Sequence, residues 1–383
     1  MAVGRTRSGG LALAVLHPVF ALTGVVQAIG GPLLVSLAPT FHLSDGDSGL
    51  LLAFFFAGTA TGPFFCRRNY ARALAFGYVV MAAGALAAAT FPWPGLAVAF
   101  LILGIGNGIG MSGVSLYAGR RFTGSRASTI TLLNFTWSAG ALLSPLLAAR
   151  VLQHHGYRAA YILVAAAAVV AALACAAFLR DNYEAPPSQH AGGQLAILRL
   201  IALFAFAAFL EVGIENTAST WLSTFVLRTA ERGVVLAAAS TSFYWTGFLV
   251  ARGFASLLLL RISATHLFRV AVVAALASGV ALASVTSPAA QQWVMLALGA
   301  SLGPIYPLVI AGFFAHAEHT SQSRWVLATA GFGGSLLPWI AGVVSTQTGS
   351  LRLGLFVVPA ALLVMLALLP ALTRPKPEPG PQS

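Results

Sequence analysis

Acidic side chains are scarce in this chain: nine Asp and Glu stand against 21 Lys and Arg in 383 residues, and charged residues of both signs make up only 8%. Soluble globular domains carry about 25%, so this composition cannot build an ordinary water-exposed surface. Cysteine is nearly absent too. Cys66 and Cys175 lie in separate apolar stretches, which argues against a disulfide and leaves no metal site; His154-His155 is too short to specify one. No Gly-rich phosphate loop, His-Glu-x-x-His pattern or Cys-Pro-x-Cys-like pump segment occurs, so enzymatic chemistry and ATP-driven pumping lack their residues and no cofactor is expected. The basic excess, a formal +12, is dispersed over short loops rather than gathered in a stripe, which speaks against nucleic acid as a partner.

What the chain has in abundance is apolar sequence. Hydrophobic residues make up 58% and the mean hydropathy is +0.86. Runs of bilayer length, about 20 residues each, recur from end to end, and twelve can be placed at about 11–37, 49–66, 72–91, 95–118, 128–149, 158–179, 198–226, 234–258, 267–287, 291–315, 325–345 and 351–373. In lipid the backbone must satisfy its own hydrogen bonds, so these runs read as helices; a barrel would show short alternating strands. The expected fold class is therefore an all-α membrane protein, with the lipid bilayer as its surroundings. Arg5 and Arg7 precede a first run too long, and too interrupted by Gly24, Gly30, Gly31 and Pro32, for an ordinary cleaved signal, so a retained first helix is expected. Placing the N-terminus in the cytoplasm puts fifteen basic residues on the inner side and five on the outer, with Arg252 near the inner end of the eighth segment. The bias favours residence in the cell membrane with both termini on the cytoplasmic side.

Residues 181–197 form the one sharp hydropathy drop midway along the chain. They read as a cytoplasmic linker between six-helix halves at 1–180 and 198–373, with a Pro-rich, disordered cytoplasmic tail at 374–383. Internal similarity supports the division. Gly106 and Gly110 recur 193 residues later as Gly299 and Gly303, Gly140 with Pro145 as Gly333 with Pro338, and Gly156 as Gly349. Glycines four apart share a helix face and admit a neighbouring backbone. Pro145 and Pro338 each remove a backbone donor and are candidate hinges. Duplicated interruptions suit two repeats that rock about a central site.

Several segments carry a resemblance. Glu211-Val-Gly213-Ile-Glu215 followed by Trp221-Leu222-Ser223, Gly303-Pro304-Ile305-Tyr306-Pro307, and Gly333-Gly334-Ser335-Leu336-Leu337-Pro338-Trp339 resemble segments of the fucose, glucose and galactose permease family, within the major facilitator superfamily. The resemblance covers essentially the whole chain. It implies the major facilitator fold, two pseudo-symmetric six-helix bundles around a central cavity, alternating access, and often proton-coupled sugar import. The sequence departs from the pattern in three places. Cys66 stands where the loop after the second helix usually has an acid, although Arg67 and Arg68 keep the basic part of that gate. Glu211 replaces an aromatic residue, and the first six predicted segments hold no acid.

Glu211 and Glu215 are the costliest residues in the apolar sequence. Helical rise places them about 20 and 26 Å along the seventh segment, one turn apart on one face. Both ionised would repel each other and lose hydration, so at least one is expected to load a proton when a wet cavity opens, with Glu215 the candidate proton carrier and Glu211 tuning it or contacting substrate. Gln27, Asn107 and Asn134 offer donors and acceptors for a polar substrate, Trp137, Tyr244 and Tyr306 a stacking surface, and Arg252 a gate that resembles an arginine near the inner end of the eighth helix in related transporters. The same residues also serve as interhelical packing. The reading is a secondary transporter of a small polar solute, a sugar among them, with protons as partners. Export of an amphipathic or drug-like compound, and a non-transporting receptor or structural role, stay open, as does the oligomeric state.

Overall fold

In a computed structural model, the described residues are 7–66, 69–122, 126–180, 195–229, 233–316 and 323–373, and within them the chain is helical. Twelve spans result: α1 (Arg7–Thr40), α2 (Asp45–Thr61), α3 (Tyr70–Thr90), α4 (Gly95–Arg121), α5 (Arg126–His154), α6 (Gly156–Phe178), α7 (Leu195–Thr229), α8 (Val234–Leu258), α9 (Ala264–Ser284), α10 (Pro288–Leu302) continued by α11 (Ile305–His316), α12 (Ser323–Thr348), and α13 (Leu351–Leu355) continued by α14 (Val357–Leu372). The expected tenth and twelfth spans are therefore each broken once. Pro304 and Pro359 have no N–H to continue the ladder, and the breaks fall at 303–304 and at Phe356. Pro145 and Pro338, by contrast, sit inside uninterrupted helices.

Local signals set several helix ends. Ser44 caps α2 by accepting from the Asp47 amide at 3.0 Å, while Asp47 accepts from the Ser44 amide at 3.2 Å, a reciprocal box that satisfies two otherwise orphaned donors. This cap starts α2 four residues earlier than its hydropathy indicates. Asp45 consequently lies in the first helical turn and is buried, which corrects the expectation that the first six segments hold no acid. Gly156 and Gly349 occupy matching turns at φ +71° and +67°, a region other residues rarely adopt.

The two six-helix bundles repeat one packing pattern, but the register is not uniform. A Cβ on Gly104 would strike the Phe55 carbonyl and one on Gly299 the Tyr244 carbonyl; Gly108 meets Thr59 as Gly303 meets Phe248; Gly58 meets Leu101 and Ile105 as Gly247 meets Leu296 and Ala300. By contact, then, α4 corresponds to α10 at an offset of 195 residues and α2 to α8 at 189. The pairing of Gly106 and Gly110 with Gly299 and Gly303 is corrected: Gly106 faces Met81 of α3 instead. The offset of 193 holds for Gly140 and Gly333, which face the carbonyls of Ala21 on α1 and Phe209 on α7.

The halves meet along α2 with α12, α5 with α8, and α1 with α7. On the first seam Gly331 faces Ala60, Gly49 faces the backbone of Pro338 and Trp339, and Ser335 Oγ donates to the Ala53 carbonyl at 2.8 Å. Small residues let backbones touch where hydrophobic driving force is weak.

Candidate substrate and coupling site

Residue 212 is the midpoint of α7, so Glu211 and Glu215 are both central in the helix. Glu211 is fully buried and Glu215 is 7% exposed. Neither carboxylate oxygen of Glu211 has a hydrogen-bond partner among the described residues. Such a group loses hydration without compensation from the protein. The packing that holds the pair is local and tight. Gly213 approaches Gly333 and Leu337 of α12, and Gly333 in turn faces the Phe209 carbonyl, so α7 and α12 cross at contact distance beside the carboxylates.

An aromatic cluster with unused polar atoms joins α5 to α8. Trp137 of α5 and Trp245 of α8 pack edge to face with centroids 6.0 Å apart, and Tyr244 meets Trp245 at 5.2 Å. The indole N–H groups of both tryptophans and the Tyr244 hydroxyl are buried without partners among the described residues. Tyr244 and Tyr306 share the electrostatic neighbourhood of both carboxylates and of Arg252. Tyr306, at the start of α11, is half-buried.

Arg252 supplies the positive charge. Its guanidinium lies 4.3 Å from the Phe248 ring centroid and 6.0 Å from that of Trp137. Its Nε donates to the Gly303 carbonyl at 3.3 Å and its Nη1 to Ser138 Oγ at 3.4 Å. The side chain therefore reaches from α8 across the seam to α5. Its field reaches Glu211 and Glu215, yet its direct bonds go to neutral oxygens, which leaves its charge free to respond to theirs.

A second polar element crosses the halves. Asn107 Nδ2 of α4 donates to Gln27 Oε1 of α1 at 2.8 Å, and Gln27 Nε2 donates to Asn216 Oδ1 of α7 at 3.4 Å. Asn107 Oδ1 is buried without a partner among the described residues. Gly334 makes room for this chain, because a Cβ there would press on the Asn216 amide. Gln27 and Asn107 were expected in the site; Asn216 and Ser138 were not. The signal for Asn216 was its place beside Glu215 in an apolar segment, whereas Ser138 is legible only once Arg252 is positioned.

The remaining expected residues divide. Asn134 Nδ2 donates to the Ile130 carbonyl of its own helix at 2.9 Å, so that donor is committed locally. His17, not among the expected residues, has its Nδ1 2.8 Å from Thr136 Oγ1 and joins α1 to α5. Arg67, Arg68, residues 181–194 of the expected linker and the tail at 374–383 lie outside the described residues.

Fold and site define an integral, multi-pass membrane protein of the transporter class. The profile of the Major Facilitator Superfamily matches residues 16–324, and the chain belongs to that superfamily. It is similar to the glucose/mannose transporter GlcP of Bacillus subtilis (strain 168), 22% identical over 367 residues, covering 90% of this chain and 91% of the relative. It is also similar to a glucose/galactose transporter of Brucella abortus biovar 1 (strain 9-941), 25% identical over 371 residues and covering 89% of each. A bacterial homologue of the human lysosomal transporter Spinster, solved in an inward-facing and occupied conformation, shares the fold at TM-score 0.75, with 15% identity over 98% of this chain and 100% of that one. The chain is thus a non-enzymatic transporter that takes a small-molecule substrate.

Proposed function

We propose that this protein moves a sugar or similar polyhydroxylated solute across the membrane by alternating access, coupled to protons through Glu211 and Glu215. The observation that carries the reading is a set of buried polar atoms without partners among the described residues: the Trp137 and Trp245 indole N–H groups and the Tyr244 hydroxyl on one aromatic cluster, and the Glu211 carboxylate within electrostatic reach of Tyr244. Hydroxyl groups both donate and accept, and a sugar ring presents several of them beside a face that packs on aromatic carbon. The sugar transporters among the relatives support the same class.

Coupling follows from the cost of charge at this position. With the site open to water Glu215 takes up a proton, and the neutral pair then crosses the closed state without two unscreened charges. Release on the other side restores the carboxylate, which draws on Arg252. Glu211 tunes Glu215 or contacts the substrate. Arg252, bridging α5 and α8, links the charge state of the pair to the fit between the halves. The basic-residue bias supports both termini in the cytoplasm and residence in the cell membrane, with 181–197 joining halves 1–180 and 198–373.

The test is uptake of labelled glucose, galactose and mannose into proteoliposomes under an imposed pH gradient. The wild-type protein should accumulate a sugar when the outside is acidic. Glu215→Gln should lose gradient-driven accumulation while retaining exchange of labelled for unlabelled sugar. Equal accumulation by both proteins removes Glu215 as the carrier, and absence of uptake or exchange for every sugar rejects the substrate class.

A further inference from the structure

We infer that Asp45, Arg228 and Ser345 form a latch that holds the face opposite the N-terminus closed, and that this latch sets how often that face opens. The inference rests on membership in an alternating-access superfamily and not on the identity of the substrate.

Asp45 belongs to the first half, at the start of α2; Arg228 and Ser345 belong to the second, in the last turn of α7 and near the end of α12. Arg228 Nη1 donates to Asp45 Oδ2 at 2.7 Å and Nη2 to Oδ1 at 2.6 Å, a bidentate pair; Ser345 Oγ donates to Oδ2 at 2.5 Å. One carboxylate therefore collects three donors from two helices of the opposite half. Planar guanidinium and carboxylate match in this geometry, the strongest form of the contact. The helix ends assist: a negative charge at the start of α2 and a positive one at the end of α7 both complement their dipoles.

The backbone beneath is closed as tightly. Gly46 N donates to Thr346 Oγ1 at 2.8 Å, and Gly342 lies so near the Asp45 carbonyl that a Cβ would strike it. Further in, Gly31 of α1 abuts the carbonyls of Ser219 and Thr220 on α7. The space there is a cavity of ≈ 10 Å³ lined by residues including Gln27, Gly31, Leu52, Ser219 and Thr220, about the size that holds one water. Opening this face separates α2 from α7 and α12, so the charge pair, the serine bond and the glycine contacts are lost together.

The exposure of the partners suits a latch better than a lock. Asp45 is 9% exposed, whereas the Arg228 side chain is 46% exposed. Water already reaches the arginine and can take over as the pair parts, so the closed state is favoured without being made permanent. Removing one partner leaves the other without its counterpart and lowers the cost of opening.

The experiment uses full-length protein in membrane vesicles with Ser219→Cys as reporter and a membrane-impermeant maleimide applied from either side; the parent, whose Cys66 and Cys175 are buried, gives the background. Arg228→Ala and Asp45→Asn should each raise Ser219→Cys labelling from the face opposite the N-terminus about tenfold, equivalent to roughly 1.4 kcal/mol. The double variant should rise no further than the larger single effect, since both remove one contact. Unchanged labelling in correctly folded single variants, or effects that multiply in the double variant, overturns the latch. A disulfide between Gly46→Cys and Thr346→Cys gives a readout that leaves the latch residues intact. Cross-linked protein should label Ser219→Cys several-fold more slowly than reduced protein, and equal rates overturn the inference.

Discussion

The indole N–H of Trp221 donates to the carbonyl oxygen of Pro338 at 3.0 Å, tying α7 to α12 at the point where Gly49 of α2 also reaches the Pro338 backbone. Trp221 is fully buried, so the bond forms away from water. Trp221→Phe removes the donor and part of the volume, at a cost of about 1–3 kcal/mol. Thermal unfolding in detergent should show a lower midpoint, and an unchanged midpoint would mean that the bond contributes nothing to the fold.

Glu211 should be a residue that function retains at the expense of stability. Its carboxylate is fully buried and has no partner among the described residues. Glu211→Leu removes that polar group and should stabilise the protein by about 1–3 kcal/mol while impairing transport, a trade-off expected where active sites hold unsatisfied groups. A higher melting midpoint with reduced sugar uptake fits this account. A lower midpoint would reveal a structural bond to Glu211 instead.

Two glycine substitutions should separate close approach from ordinary packing. Gly299→Ala puts a methyl on the Tyr244 carbonyl, whereas Gly279→Ala meets nothing nearer than Val358 Cγ1 at 3.4 Å. The first should cost about 1–3 kcal/mol or more through overpacking. The second should be neutral or stabilising by up to about 1 kcal/mol, because alanine suits a helix interior better. Comparison of their unfolding midpoints decides the matter; equal loss from both would reject the distinction.

The amide chain predicts unequal effects among the polar candidates. Gln27→Leu leaves the Asn107 donor and the Asn216 acceptor without their partner, whereas Asn134→Leu removes a bond made within α5. Interhelical bonds of this kind contribute about 0.6 kcal/mol on average in membranes, so both proteins should fold. Initial uptake rates of labelled glucose should fall more for Gln27→Leu. A larger loss from Asn134→Leu would place the substrate against α5 rather than the amide chain.

The architecture was largely legible in the chain because bilayer-length apolar runs leave few alternatives. The proline breaks at 303–304 and Phe356 escaped a hydropathy reading, which averages over the residues that interrupt a helix. Glu211 and Glu215 stood out as isolated charges in an apolar run, and Gln27 and Asn107 as amides in apolar segments. The Arg252 contact with Ser138 did not, since it joins residues 114 apart through a crossing that no spacing encodes. Asp45 looked like a loop acid for a similar reason. Its role depends on the cap at Ser44 and on Arg228, 183 residues away.

The unequal offsets between the halves locate where length has changed and where it has not. From α8 to α10 the second half carries six residues more than the first does from α2 to α4, and it returns two before α12, yet glycine meets the corresponding carbonyl at both crossings. The connections around α9, at 259–263 and 285–287, are shorter than those around α3, at 62–69 and 91–94, so the extra residues lie in the helix ends, chiefly in α8, which runs 11 residues past Gly247 where α2 runs three past Gly58. Tags and reporters for this protein therefore belong just past the lengthened end of α8, at 259–263, clear of the paired crossings.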